Sequence, residues 1–144
     1  MNDNVIKYFQ EIEENISKLP LNEQEIIYRS CAINCVKDSV LMEQKRQYEE
    51  CNGDMDLIYT KYSNTEYYFR RIIEPGHIYE MGYPKCLCYL YDTGLLKNPV
   101  HCECSRQSVL YILQELAPNK KISVEIIDTV LAGAKECTFR ITVD

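Results

Sequence analysis

The sequence predicts an α+β fold in which N-terminal helices precede a largely antiparallel sheet, with one helix inserted before a C-terminal β-hairpin. Two patterns predict this fold. Apolar residues recur at helical spacing in the first 50 positions, and they alternate with polar residues at strand spacing near the C-terminus. The 144 residues fit a single domain, with a helical part over residues 1–50 and the sheet with its inserted helix over residues 67–144.

Two helices are predicted in the N-terminal part. The first covers residues 4–18, with Glu11, Glu13 and Glu14 assigned to its solvent-facing side and with apolar positions at Val5, Ile6, Phe9, Ile12 and Ile16. Asn22, with Glu25 three residues later, has the spacing of a capping box, so a second and longer helix is expected to reach about residue 48. Cys31 and Cys35 share one face of it, because they are four residues apart, and their apolar neighbours indicate that this face is buried.

The middle of the chain is predicted to consist of short elements. A break at Asn52–Asp54 precedes a short helix. Aromatic and β-branched residues predict strands on either side of the Pro75–Gly76 turn, over residues 67–74 and 77–81. A further strand is expected over residues 86–91.

The C-terminal part is predicted to be a helix and a hairpin. Ser105 is expected to cap the helix, which carries an apolar face and stops at Pro118. The last strand alternates cleanly from Cys137 to Val143, which places the Cys137 side chain on the core face. Cys51, which stands alone beside a turn, is also expected to be a packed core residue.

Charge and hydropathy exclude two classes of partner. The formal net charge is −6 and the sequence contains no basic stripe, which argues against nucleic acid. No run approaches the roughly 20 apolar residues that a membrane span needs, so no membrane partner is expected. The N-terminus lacks the basic and apolar regions of a signal peptide, so a cytoplasmic location with reduced thiols is expected.

Six of the eight cysteines form close pairs, and these pairs predict a metal site. Thiolates are soft ligands that favour zinc, which takes four of them in a tetrahedron. The two Cys-x-Cys pairs are more closely spaced than usual zinc ligands. In an extended segment Cys86 and Cys88 present their sulfurs on the same face, and a pair of this kind is expected to contribute one of its two sulfurs to a metal. The candidate ligands are Cys31, Cys35, Cys86, Cys88, Cys102 and Cys104. The competing interpretation is that these six are reduced, packed core residues.

Two other functions remain open. Cys104 is expected at a helix N-terminus, where the helix dipole lowers a thiol pKa, and His101 is a candidate base with Glu103 nearby. This arrangement is typical of a cysteine-dependent hydrolase or a thiol redox enzyme. The other open function is a dimerising module, in which a homodimer forms through a sheet edge at residues 139–143. The preferred function is small-molecule binding in a cytoplasmic zinc protein, because several of the twelve tyrosines suit the wall of a pocket for a planar or amphipathic ligand.

The cysteine pattern resembles that of a family of uncharacterised, cysteine-rich small proteins from anaerobic bacteria. The shared motifs are a helical Cys-x-x-x-Cys at Cys31 and Cys35, the Cys-x-Cys at Cys86, and the Cys-x-Cys-Ser that begins at Cys102. The ending Ala-Gly-x-x-x-Cys-x-Phe-Arg over residues 132–140 is similar to that of vinyl-reductase-type small-molecule-binding domains and of aminothiazoline-carboxylate hydrolase-like proteins.

The resemblance to the vinyl-reductase-type domains implies an α/β ligand-binding fold with zinc near the pocket. It matches Glu125 and Cys137 to two of the zinc ligands, and it leaves Cys86 or Cys88 for an upstream one. Asp128 stands where those domains have a third cysteine, so this chain departs from their ligand set.

Overall fold

Helices dominate the first half of the chain and strands the second. The computed structural model describes residues 2–144, and within them the α+β prediction is confirmed. The helices are α1 (Asp3–Ser17), α2 (Leu21–Val36), α3 (Ser39–Glu50), α4 (Met55–Lys61), α5 (Tyr89–Asp92) and α6 (Cys102–Leu116). The strands are β1 (Phe69–Glu74), β2 (Ile78–Tyr83), β3 (Ile122–Asp128) and β4 (Cys137–Val143).

The single long helix expected after Asn22 is wrong, because the chain breaks it into α2 and α3. The backbone leaves the helical region at Asp38, where φ is −99° and ψ is −100°. Asp38 and Ser39 are adjacent, and both residue types compete for backbone hydrogen bonds and so favour helix ends over helix interiors. The break turns α3 away from α2, and both helices pack against α6.

The four strands form one antiparallel sheet in the order β1-β2-β4-β3. The predicted C-terminal hairpin is confirmed as β3 and β4, in which Val124 pairs with Ile141. Strand β4 has a hydrogen-bonded neighbour on each side, so the expectation of a free sheet edge at residues 139–143 is wrong. A homodimer through that strand would have to displace β2 or β3.

The main core lies between one face of the sheet and helices α4 and α6. Tyr79, Phe139 and Ile141 are fully buried on the central strands, and Val109 and Leu113 cover them from α6. The alternation of β4 therefore predicted the core face correctly, and Cys137 and Cys51 are buried as expected. Helix α6 is sandwiched between this sheet and the pair α2 and α3.

The strand expected over residues 86–91 is wrong. β2 ends at Tyr83 beside Cys137, and the chain then passes through an irregular segment into the single turn α5. Local bonds replace a strand ladder there, since the Tyr91 and Gly94 N–H groups donate to carbonyls three residues earlier. Pro84 stands at this transition and has no N–H to donate to a neighbouring strand.

Helix α6 begins four residues earlier than a cap at Ser105 would place it. Ser105 is not its cap, because the helix starts at Cys102 after a 3-10 turn over Pro99–His101. Asn98 caps that turn, with its side-chain Oδ1 accepting from the Val100 N–H at 3.0 Å. Cys104 consequently lies inside the first turn of the helix instead of preceding it.

Candidate thiol-lined ligand cavity

A cavity with a volume of about 610 Å³ lies beside the main core. This volume is in the range of small-molecule pockets. Residues from α2, α3, α6, the sheet and the segment after β2 line it. Most of the lining is apolar or aromatic, including Val36, Val40, Met81, Leu87, Leu96, Val109, Ile112, Leu131, Phe139, Tyr59, Tyr68 and Tyr83.

Thiols are the second feature of the cavity wall. Five of the six predicted ligands line it, together with the core residue Cys137; the five are Cys35, Cys86, Cys88, Cys102 and Cys104. Within residues 2–144, however, no group of three or more His, Cys, Asp or Glu side chains is placed to hold a metal ion. A zinc ion needs four donors about 2–2.3 Å away. The sulfurs therefore share a wall without converging on one point, and zinc stays a prediction.

The helical cysteine pair is not buried as expected. Cys31 and Cys35 are both exposed, and the buried residues of α2 are Tyr28 and Ala32. The buried face of α2 is therefore rotated from the face predicted by the cysteines. Cys35 lies at the edge of this face and lines the cavity, whereas Cys31 is not among the lining residues.

The ligand set implied by the vinyl-reductase resemblance is not assembled either. Glu125 pairs with Arg140 across the strands, and Arg140 alternates with the core residues Phe139 and Ile141. The alternation of side chains along a strand thus puts Glu125 on the opposite face from Cys137. Asp128 is also exposed.

Burial weakens the acidity of the cavity thiols. It raises the pKa of Cys102 to about 11, and burial with the nearby Cys35 and Cys31 thiols raises the pKa of Cys104 to about 12. The prediction that Cys104 is a low-pKa thiol at a helix N-terminus is therefore wrong, because desolvation outweighs the helix dipole. Glu103 is also unavailable as its partner, since both carboxylate oxygens accept from Arg106 Nε.

His101 contacts a different cysteine from the one expected. Its Nε2 atom lies 3.9 Å from Cys88 Sγ, and its Nδ1 atom lies 3.4 Å from Oε1 of Glu13 on α1. The Glu13 side chain is 1% exposed and that of His101 is 14% exposed. The Asn98 N–H donates to Oε2 of Glu13 at 3.3 Å, and the Tyr28 ring meets the imidazole edge-on, with 5.4 Å between ring centroids. Burial raises the pKa of Glu13 and lowers the pKa of His101.

The assignment of Glu13 to the solvent-facing side of α1 is wrong. It lies four residues after Phe9, and residues four apart share a helix face. The carboxylate is thus carried on the border of the apolar stripe and faces the turn before α6. That spacing was the sequence signal for its burial.

Arg70 is a functional candidate that sequence reasoning missed. It is 6% exposed on β1 and lines the cavity, and its guanidinium donates to Gln47 Oε1 at 2.9 Å, Gln44 Oε1 at 2.7 Å and the Tyr62 carbonyl at 3.3 Å. The rings of Tyr59 and Tyr68 lie 5.2 and 4.7 Å from its central carbon. No carboxylate within residues 2–144 forms an ion pair with it. The signal was its position two residues before Ile72, on the same face of the strand.

Comparisons of the chain with protein-family models, curated protein sequences and solved structures returned no match. The resemblance drawn from the cysteine motifs therefore stays a prediction. No helix in the described part of the chain has both the length and the apolar character needed to cross a bilayer. The cytoplasmic location likewise stays a prediction.

Proposed function

We propose that the protein binds a small, mostly apolar molecule that carries one carboxylate, with Arg70 as the counter-ion. The observation that supports this is the combination of a mostly apolar cavity of about 610 Å³ with a buried guanidinium that has only neutral partners among the described side chains. An apolar wall with a few placed polar groups is the usual composition of a ligand pocket.

The charge of Arg70 favours an anionic ligand. Burying an ion is costly unless an opposite charge and hydrogen bonds compensate for the lost water. Here the glutamine and carbonyl oxygens supply hydrogen bonds without any negative charge. A ligand carboxylate would supply the missing charge inside the cavity, where water screens it least.

The geometry of Arg70 suits a carboxylate in particular. Its three hydrogen bonds use Nη1 twice and Nη2 once, so Nε–H and one Nη2–H have no partner among residues 2–144. Nε and Nη2 lie on the same edge of the guanidinium, which matches the two oxygens of a carboxylate. The flanking tyrosine rings and the two glutamines fix the plane in advance, which lowers the entropy lost on binding.

Binding assays with matched ligands test this proposal. Aromatic and aliphatic monocarboxylates are titrated by calorimetry into wild type, Arg70→Gln and Arg71→Gln. The primary amide of each acid is titrated separately as an uncharged comparison ligand. Arg71 is the matched control, because it directly follows Arg70 in β1, is half-exposed, and pairs with the carboxylates of Glu80 and Glu136. We expect wild type and Arg71→Gln to prefer the acid, and Arg70→Gln to lose about 10- to 100-fold of that preference, the value of a charge-assisted hydrogen bond.

Binding of the amides shows whether Arg70→Gln is folded, since they need the apolar wall but not the charge. The proposal fails if wild type binds none of the acids, or if Arg70→Gln still binds amides and discriminates as wild type does. Equal losses in both arginine variants would also overturn it, because they would indicate a general effect of surface charge.

A further inference from the structure

We propose that Cys88 and His101, oriented by Glu13, form a thiol nucleophile and general base that cleave an ester or thioester bound in the cavity. The inference rests on the proposed function only in that the substrate occupies the same cavity. It assigns the nucleophile to Cys88, which contacts the imidazole, instead of Cys104.

The three side chains form a relay that ends in the cavity. Glu13 is behind His101, held by the Asn98 N–H, and His101 and Cys88 both line the cavity wall. The imidazole bridges them, with Nδ1 towards the carboxylate and Nε2 towards the sulfur. A nucleophile, a base and a group that orients the base are the parts of a catalytic triad.

The linear order of the relay separates it from a metal site. Metal donors converge on one point, whereas Glu13 and Cys88 lie on opposite sides of the imidazole ring. This agrees with the absence of any metal-competent group among residues 2–144. Glu13 touches neither the sulfur nor the cavity and is therefore a positioning residue.

The buried polar atoms of the relay support its orientation. Oε1 of Glu13 and Nδ1 of His101 have no hydrogen-bond partner of good geometry within residues 2–144, and they face each other at 3.4 Å. A proton on Nδ1 directed at the carboxylate satisfies both atoms and leaves the Nε2 lone pair facing the thiol. Such contacts are often long in the free enzyme and tighten when substrate binds.

The other cavity thiols are less suited to the reaction. Only Cys88 is within hydrogen-bond reach of an imidazole in the described part of the chain. Burial raises the pKa of the Cys88 thiol, and the backbone N–H of Leu90, which donates towards the sulfur, offsets part of that rise. Burial also raises the pKa of Cys102 and Cys104, and neither of these has the imidazole contact that Cys88 makes with His101.

The reaction balances without a cofactor. His101 Nε2 takes the Cys88 proton, Sγ attacks the carbonyl carbon, and the bond to the leaving oxygen or sulfur breaks as His101 returns the proton to the leaving group. The product is an acyl thioester on Cys88. Water then loses a proton to His101, its oxygen attacks the acyl carbon, the C–S bond breaks and the thiolate recovers the proton. The net reaction is ester or thioester plus water giving acid plus alcohol or thiol.

Hydrolysis of p-nitrophenyl butyrate and mass spectrometry of the acylated protein test the inference. We expect an acyl adduct on Cys88, a loss of turnover of about a hundredfold or more in Cys88→Ala and His101→Gln, and near wild-type turnover in Cys31→Ser, since Cys31 is exposed and does not line the cavity. Glu13→Gln should lower kcat, and Glu13→Asp should restore part of it, which a purely structural role in packing would not produce.

A reactivity measurement covers the case in which the ester is a poor substrate. Iodoacetamide should alkylate Cys88 at least tenfold more slowly in His101→Gln than in wild type, while the rate at Cys31 is unchanged. The inference is overturned if Cys88→Ala retains turnover, if the adduct forms on another cysteine, or if His101→Gln leaves the Cys88 rate unaltered. Carboxylate binding by Cys88→Ala is a separate readout, so the proposed binding function can stand when catalysis fails.

Discussion

Gly82 is the position at which a single methyl group should be most disruptive. It lies on β2 between Phe69 of β1 and Thr138 of β4. A Cβ built there would be 1.9 Å from the Cys137 carbonyl oxygen and 2.4 Å from the Phe69 ring. Favourable contacts between non-bonded heavy atoms need about 3.5–4 Å. Gly82→Ala would thus require two neighbouring strands to separate by more than an ångström.

The size of the effect follows from the type of obstacle. Overpacking usually costs about 1–3 kcal/mol, because side chains can rotate away. At Gly82 the nearest atom belongs to the backbone of an interior strand, so we expect a loss of about 3 kcal/mol in the free energy of unfolding. For a chain of this size that loss lowers the melting temperature by about 10 °C.

Urea unfolding and thermal melting measure the loss, and Gly76→Ala is the control. Gly76 has a φ of +76° and no heavy atom within 4 Å of its added Cβ, so its substitution costs only backbone strain of about 1 kcal/mol. If Gly82→Ala is no more destabilising than Gly76→Ala, the close approach of β2 and β4 is wrong. The position of Cys137 in the cavity wall would then be wrong as well.

Two further predictions concern ionisation and metal. Because burial raises the pKa of Glu13, the folded protein keeps a proton that the unfolded protein has lost at pH values between 4.5 and the raised pKa, so the stability of wild type relative to Glu13→Gln should fall as pH rises through that range. Above that range Glu13 is the carboxylate that orients His101. Urea unfolding at pH 4, 5.5 and 7 checks the sign, and a relative stability that grows with pH would instead indicate an ion pair. If zinc binds the cavity thiols, purified protein should contain about one zinc per chain by mass spectrometry, and a chelator should lower the melting temperature. Cys104→Ser should then lose the metal while Cys51→Ser keeps it, and a metal-free wild type that melts alike with and without chelator ends the zinc hypothesis.

The sequence predicted elements whose signals are local and repeated. The alternation from Cys137 to Val143 predicted both a strand and its buried face, because a period of two leaves only one register that buries the apolar side. The break at Asp38 was missed because polar residues are compatible with the exposed side of a helix. Whether they interrupt the helix depends on how its two halves, α2 and α3, pack against α6. The strand expected at Cys86 failed for a related reason. A strand needs a partner with free hydrogen-bonding groups, and which partners are free depends on the whole sheet.

The candidate site could be predicted only in its residue types. Five of the six paired cysteines line the cavity, and their role as metal ligands stays a prediction. Which thiol meets the histidine depends on the turn before α6, which ends at His101 and places its Nε2 atom 3.9 Å from Cys88 Sγ. Arg70 and Glu13 are charged residues in ordinary amphipathic surroundings. Their spacing from Ile72 and Phe9 places them on or beside the apolar faces of their elements, but which part of each face is buried is decided by tertiary contacts.

The two polar features of the cavity are held by different parts of the fold, which constrains how a ligand lies in it. Arg70 is fixed by α3 and β1, whereas His101 is fixed by α1 and the turn before α6. Their hydrogen-bond partners do not overlap, so removal of one should leave the geometry of the other intact. A substrate that engages both would place its carboxylate towards α3 and its reactive carbonyl towards Cys88. The apolar side chains of α6 would then contact the hydrocarbon between them, which favours a half-ester or half-thioester of an apolar dicarboxylic acid over a simple ester.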